Sequence, residues 1–224
     1  MKQIISICMA AAMILSVAAC GRPATADSTS AHEVTHVEES EMQTDRVDQE
    51  NKSNILVAYF SLADEQYEVG VIEKGNTEIV AEMIAETTGA DSFKIERSTP
   101  YPTTYDELLD ESRREDDDPP EIVGTVENMD SYDTVFIGYP IWWGDLPGIV
   151  RVFLGSYEFS GKTVIPFCTH AGSGLSGTQS SVESLCPGAS VQDGLAIRGR
   201  DAQNEQEGTR TQVMQWLGEL GYVS

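Results

Sequence analysis

Strand-like and helix-like hydrophobic patterns alternate from residue 54 to the end of the chain. NILVAYF (54–60), DTVFIGY (133–139) and KTVIPFC (162–168) are nearly continuous apolar runs, as parallel strands buried on both faces require. DSFKIER (91–97) alternates with polar residues, which suits a place nearer a sheet edge, and VQDGLAIRG (191–199) supplies a fifth strand. Between them, Ile79, Val80, Met83 and Ile84 recur at helical spacing over 76–88, and Gly89 provides a stop. Residues 103–115, 147–156 and about 176–185 read as further helices. The last helix carries Val213, Trp216, Leu217 and Leu220, an i, i+3, i+4, i+7 stripe. Five β–α units predict an α/β domain: one doubly wound, five-stranded parallel sheet with helices on both faces and right-handed crossovers.

The first 53 residues do not fit that pattern. An apolar stretch from Ile4 to Ala19 follows Lys2 and is too short to span a membrane, so residues 1–19 read as an export signal. It closes on Val17-Ala18-Ala19-Cys20, which resembles the lipobox of bacterial lipoproteins and implies cleavage before Cys20 and lipid on its sulfur. An ordinary signal with an incidental cysteine is the plainer alternative. Residues 20–53 are polar and acidic with few large apolar side chains, the composition of a flexible tether. His32 and His36 stand four apart there and are read as solvated, so no metal site is assigned. The remaining span, 54–224, is 224 − 53 = 171 residues, enough for one domain with a substantial core.

Charge excludes partners. With 14 basic and 37 acidic residues the net charge is −23, which argues against nucleic acid and against anionic headgroups. Membrane contact is expected from the lipid alone. The acidic run EDDD (115–118) reads as a solvated loop. Two cysteines, Cys168 and Cys186, remain in the domain. They could pair in an oxidising compartment, or stay as buried thiols.

Candidate chemistry gathers where apolar runs give way to glycine. In open α/β sheets ligands sit beyond the carboxyl ends of strands, where the strand order reverses. Three such ends stand out: YFS (59–61) closing at GNT (75–77), YPIWWGDLPG (139–148) and FCTHAGSGLSGT (167–178). In the first, Gly75 admits close backbone approach, and Ser61, Asn76 and Thr77 offer donors at a helix N-terminus that suits phosphate. Plain helix capping explains the same residues equally well. GVIEKGNT (70–77) has the spacing of a nucleotide-triphosphate loop, but Asn76 stands where its lysine is required. In the second, Trp142 and Trp143 supply stacking area, and neighbouring residues at a strand end face different ways. In the third, Thr169, His170, Gly172, Ser173 and Gly174 suit the polar edge of a heterocycle. GSGLSG lacks the spacing of a hydrolase nucleophile elbow.

With these motifs in hand, residues 54–224 resemble the flavodoxin family, on YFS…GNT, GYPIWWGDLP and PFCTHAGSGLSG. The resemblance implies strand order 2-1-3-4-5 and bound FMN. It places Ser61, Gly75, Asn76 and Thr77 on the phosphate and Pro140, Ile141, Trp142, Trp143 and Gly144 beside the isoalloxazine ring. Thr169, His170, Gly172, Ser173 and Gly174 then line its other side, and no cationic side chain is invoked. One departure stands out: LADEQYEVGVIEK (62–74) is inserted between Ser61 and Gly75 and is expected to fold over the cofactor as a lid, with Tyr67. No side chain is assigned as an obligatory acid or base, because the cofactor carries the redox chemistry. The function expected is an FMN-binding lipoprotein outside the cytoplasm, either an electron carrier or an FMN-dependent oxidoreductase that reduces a small acceptor. The alternatives are an NAD(P)H-dependent quinone reductase-like enzyme and a flavin-free binding lipoprotein that keeps the fold.

Overall fold

The computed structural model describes residues 54–115 and 117–223; the signal, the tether and Cys20 lie outside the described residues. Five strands run parallel: β1 Ile55–Tyr59, β2 Asp91–Lys94, β3 Thr134–Pro140, β4 Thr163–His170 and β5 Leu195–Arg198. Their order across the sheet is β2-β1-β3-β4-β5, the doubly wound order expected. β1 pairs with both β2 and β3, so the crossover direction reverses beside it, and its carboxyl end faces the crevice where such folds bind ligands. Among the described residues the α-helices are α1 Asn76–Thr88, α2 Tyr105–Ser112, α3 Gly148–Gly155, α4 Thr178–Leu185, α5 Gly199–Asn204 and α6 Gln206–Glu219.

The continuous apolar runs are explained by two cores, one on each face. Leu56, Ala58 and Phe60 face one way with Val135, Ile137, Tyr139 and Val164, under α3 and α4. Val57 and Tyr59 face the other way with Phe136, Ile165 and Phe167, under α1 and α6. The period of two along each strand thus feeds both layers. The stripe on the last helix is buried as its spacing predicts: Val213, Trp216 and Leu217 all pack into the second core.

Three details differ from the sequence reading. The second strand stops at Lys94, and Glu96–Arg97 leave the sheet to pair antiparallel with Ile122–Val123. The fifth strand is in two pieces, Ser190–Val191 and Leu195–Arg198, both parallel to β4. Alternate residues of β4 direct their carbonyls to that side, as Lys162 and Val164 do. Pro166, next in that series, has no N–H to offer, so the ladder breaks opposite it. Finally, Glu115 of the acidic run is buried, not solvated. Cys168 and Cys186 are both buried free thiols, pushed up to about 12 by burial.

Candidate functional site

The first loop is built around a close approach. Ser61 leaves β1 and its Oγ accepts the Glu78 amide N–H at 3.0 Å. It therefore caps α1 from outside the helix, a role Gly75, the residue at the cap, cannot fill. A Cβ on Gly75 would lie 2.2 Å from Ser61 Oγ and 2.4 Å from the Leu62 carbonyl, so only glycine admits this packing. The thirteen-residue insertion consequently loops out while its two ends stay together. It forms a hairpin, Asp64–Gln66 against Gly70–Ile72. Tyr67 at its turn stacks on Tyr105 of α2 at 5.8 Å, and Glu65 Oε2 accepts the Tyr105 amide at 3.0 Å. Thr77 is buried, with its hydroxyl 2.7 Å from that of Thr169.

In the second loop the two indoles divide the work. Trp142 packs edge-on to Phe60 at 5.3 Å and to Tyr101 at 5.7 Å, against the first core. Trp143 is 55% exposed. Its Nε1 donates to Ser112 Oγ at 3.1 Å, and the Arg113 guanidinium lies 4.1 Å over its ring. Trp142 and Asp145 exchange both backbone hydrogen bonds, at 3.0 and 2.8 Å, around Trp143 and Gly144. Both central residues have positive φ, 52° and 83°, which makes this a tight two-residue hairpin turn of the primed type. Asp145 fastens it. Burial alone would raise its carboxyl, but the Leu146 amide, the Arg151 guanidinium at 2.6 Å and the Ser181 hydroxyl outweigh that and hold it below the usual range.

In the third loop, His170 Nδ1 accepts the Gly172 amide at 2.8 Å. That bond puts the proton of the neutral ring on Nε2, leaving a donor free. Burial first, then the nearby Arg198 charge, lower the His170 pKa, with Asp201 and Glu68 pulling the other way.

A single cleft lies across these ends. Of the residues proposed from sequence it brings together Asn76, Pro140, Ile141, Trp142, Trp143, Thr169 and His170. Ser61, Gly75, Thr77, Gly144, Gly172, Ser173 and Gly174 are not among the residues that line it. The inserted hairpin, expected over the cleft with Tyr67, contributes Gln66, Tyr67 and Glu68. Two groups were missed: α2, with an apolar wall of Tyr105, Leu108 and Leu109, and Gly199 with Arg200, which follow β5. The α2 wall carries no local signature. Arg200 did: it lies just past a strand's carboxyl end, in a chain with only 14 basic residues. The cleft volume, about 200 Å³, is below the ~300–1,000 Å³ of pockets that enclose most of a ligand.

Comparison with known proteins agrees with this geometry. No curated protein matches the chain. Among solved structures, a protein of Bacteroides eggerthii assigned as a flavoprotein is 30% identical, with a TM-score of 0.55, over 70% of this chain and 98% of its own. A similarly assigned protein of Bacteroides uniformis is 26% identical, with a TM-score of 0.58, over 75% and 99%. A flavoprotein of Lactobacillus acidophilus, solved in complex with FMN, shares the fold at 20% identity and a TM-score of 0.51, over 69% and 97%. The flavodoxin family profile matches residues 54–219, and the chain belongs to the flavodoxin family.

Proposed function

We propose that the chain binds FMN in this cleft and carries electrons, or passes them to a small acceptor, from a lipid-anchored position outside the cytoplasm. The observation that carries the reading is the cleft itself, an aromatic and apolar slot at the carboxyl ends of β1, β3 and β4. Its chemistry fits a flavin. Trp143 and Tyr105 offer flat apolar faces, His170 presents a ring N–H, and the amides of Asn76 and Thr77 have no intrahelical acceptor at the start of α1. Bound FMN would supply the redox chemistry. The chain's own part is to hold the ring, keep water from its faces and leave one edge exposed for electron exchange. Nothing in the cleft has to act as acid or base for this.

The anchor rests on the sequence of residues 1–20. A protein beyond the membrane is out of reach of cytoplasmic nicotinamide, so a membrane-bound donor fits the reading better than direct hydride transfer. The test is an absorption spectrum of the protein after reconstitution with FMN. Two bands, in the blue and the near ultraviolet, that stay with the protein through gel filtration support the assignment. A colourless protein after incubation with micromolar FMN overturns it.

A further inference from the structure

Trp143 is the ring to which the FMN reading assigns a flat face of the cofactor, and what holds it comes from α2. Its indole is more than half exposed on a tight turn, so no core fixes its angle. Two contacts do, both from the carboxyl end of α2. Ser112, the last helical residue, accepts the indole N–H at 3.1 Å, and Arg113, the C-cap, lays its guanidinium 4.1 Å over the ring. Among the described residues the other guanidinium–ring contact is Arg97 over Tyr101, and Tyr101 does not line the cleft.

The two faces of the indole are therefore unlike. Trp143 and Ser112 line the cleft and Arg113 does not, so the guanidinium covers the outer face and leaves the inner one to a ligand. Helix-end electrostatics alone do not account for this placement. A cation is favourable at any helix C-terminus. Arg114 meets that need too, but it turns to Glu111 at 2.9 Å, a carboxylate already held by Arg97 at 2.6 Å. The carboxylate left to Arg113 is Asp110 at 3.7 Å, with both side chains more than half in water. So exposed a pair is weak and does not cancel the charge over the ring.

Two consequences follow from a guanidinium in this place. Stacked on the indole, it fixes the ring plane and lowers the ordering cost of stacking a ligand on the other face. It also sets a positive charge one ring away from that ligand. Reduction adds electrons to a flavin, and a neighbouring cation favours the more negative state. The rest of the chain, with its net charge of −23, acts the other way.

We propose that Arg113 is a positioning residue for the cofactor: it backs Trp143 from outside the cleft, holds the indole for stacking and, across it, favours reduced over oxidised flavin. This rests on the FMN reading above and adds the residue that sets the electronic character of the stacking face.

The test is the midpoint potential of the FMN-loaded full chain at low and high salt, with the affinity for oxidised FMN read by fluorescence quenching. Arg113→Gln should move the reduced-to-oxidised affinity ratio about threefold toward oxidised, as one partly screened charge across a ring allows, which lowers the potential by ~15 mV for a two-electron couple. High salt should shrink that shift. Arg113→Lys, which keeps the charge but not the flat stacking group, should fall between. Arg114→Gln removes the same charge one position along and should move the ratio less than half as far. In a Trp143→Gly background Arg113→Gln should likewise lose more than half of its effect, because the ring that aims the guanidinium is gone. An unchanged potential in Arg113→Gln, an equal shift in Arg114→Gln, or a full shift that persists without the indole overturns the role of Arg113 while the cofactor reading stands. A wild type that takes up no FMN removes both.

Discussion

Glu115 is the buried group whose removal has the most calculable consequence. It is 4% exposed. One carboxylate oxygen accepts the Tyr101 hydroxyl and the other accepts the Ile149 amide at 3.3 Å, with the Gly148 amide also engaged. A Cβ on Gly148 would lie 2.6 Å from Glu115 Cβ, so the carboxylate sits directly on the start of α3. Glu115→Ala removes a helix cap, about 1 kcal/mol, and strands a buried phenol hydroxyl, about 1–3 kcal/mol. The expected loss is about 2–4 kcal/mol, a large share of the ~5–15 kcal/mol of a typical domain. Glu115→Gln keeps the shape and separates charge from packing. Burial raises the Glu115 pKa above its ordinary 4.5, opposed by the Tyr101 bond, the α3 amides and the Arg97 charge. A carboxyl raised in the folded state is neutral in both states at low pH. As pH climbs past 4.5 the unfolded chain ionises first, so the wild type loses stability until the folded group ionises too. Glutamine cannot ionise. The stability difference, Glu115→Gln minus wild type, should therefore rise with pH across that window, by at most about 1.4 kcal/mol per pH unit. Urea unfolding followed by tryptophan fluorescence between pH 4.5 and 7.5 measures it. A difference that falls with pH would mean that the helix start outweighs burial, and a Glu115→Ala loss under about 0.5 kcal/mol would mean that the cap is idle.

The two adjacent tryptophans should behave oppositely. Trp142→Ala should cost about 2–3 kcal/mol in urea unfolding, since the ring packs on Phe60 and Tyr101. Trp143→Gly should stay within about 1 kcal/mol of wild type yet weaken flavin binding about tenfold in a quenching titration; equal effects of both on stability would refute the division. Gly138→Ala should destabilise by about 1–3 kcal/mol, because the new Cβ would lie 2.1 Å from Phe167 Cζ. Adding Phe167→Leu should recover part of that loss, and a strictly additive double mutant would sink the argument. His170 is held neutral by burial and by Arg198, its pKa lowered from 6.5. The unfolded chain therefore takes up the proton first as pH falls through 6.5, and wild-type stability declines there. His170→Gln should flatten that part of the unfolding profile, and an unchanged slope would show that the ring is not shifted.

What was legible in the chain follows from how far each signal reaches. The sheet could be read because its central strands are buried on both faces, so their hydrophobic runs are local and unbroken. The break in the fifth strand could not, because it depends on Pro166 standing across the ladder from residues 192–194. The Gly194 amide bonds the Gln179 side chain at 3.4 Å, and the Asp193 carbonyl accepts Trp216 Nε1 at 3.0 Å. Neither partner is near in sequence. Three loops of the site were visible because each follows a readable strand. The α2 wall was not, since Leu108 and Leu109 look like any helical apolar pair until the hairpin and the tryptophan turn close around them. Ser61 shows the converse limit. A hydroxyl before a helix can face a ligand, cap the helix or do both, and here Ser61 Oγ accepts the Glu78 amide at 3.0 Å while keeping its own O–H to donate. Glu115 was hidden because its partner, the start of α3, lies more than thirty residues away in the chain.

The Trp143 turn gathers these strands of reasoning. A bulky aromatic at φ 52° is costly, on the order of 1–3 kcal/mol, where asparagine or glycine would be at ease. Its own contacts return only part of that: an exposed cation–π pair with Arg113 contributes about 0.5–1 kcal/mol, and one indole hydrogen bond to Ser112 adds little more. The turn persists because its flanks are over-determined. Ile141 donates to the Thr169 carbonyl at 2.9 Å, Trp142 packs edge-on to two aromatic rings, and Asp145 is held by Leu146, Ser181 and Arg151. Glu115 and Gly148 then fix where α3 begins, three residues after the turn. A fold that commits this much bracing to keep one strained indole half in water gains no core from it. What it gains is a rigid flat face at the mouth of a cleft, the one thing that a stacked planar cofactor needs and a hydrophobic core does not.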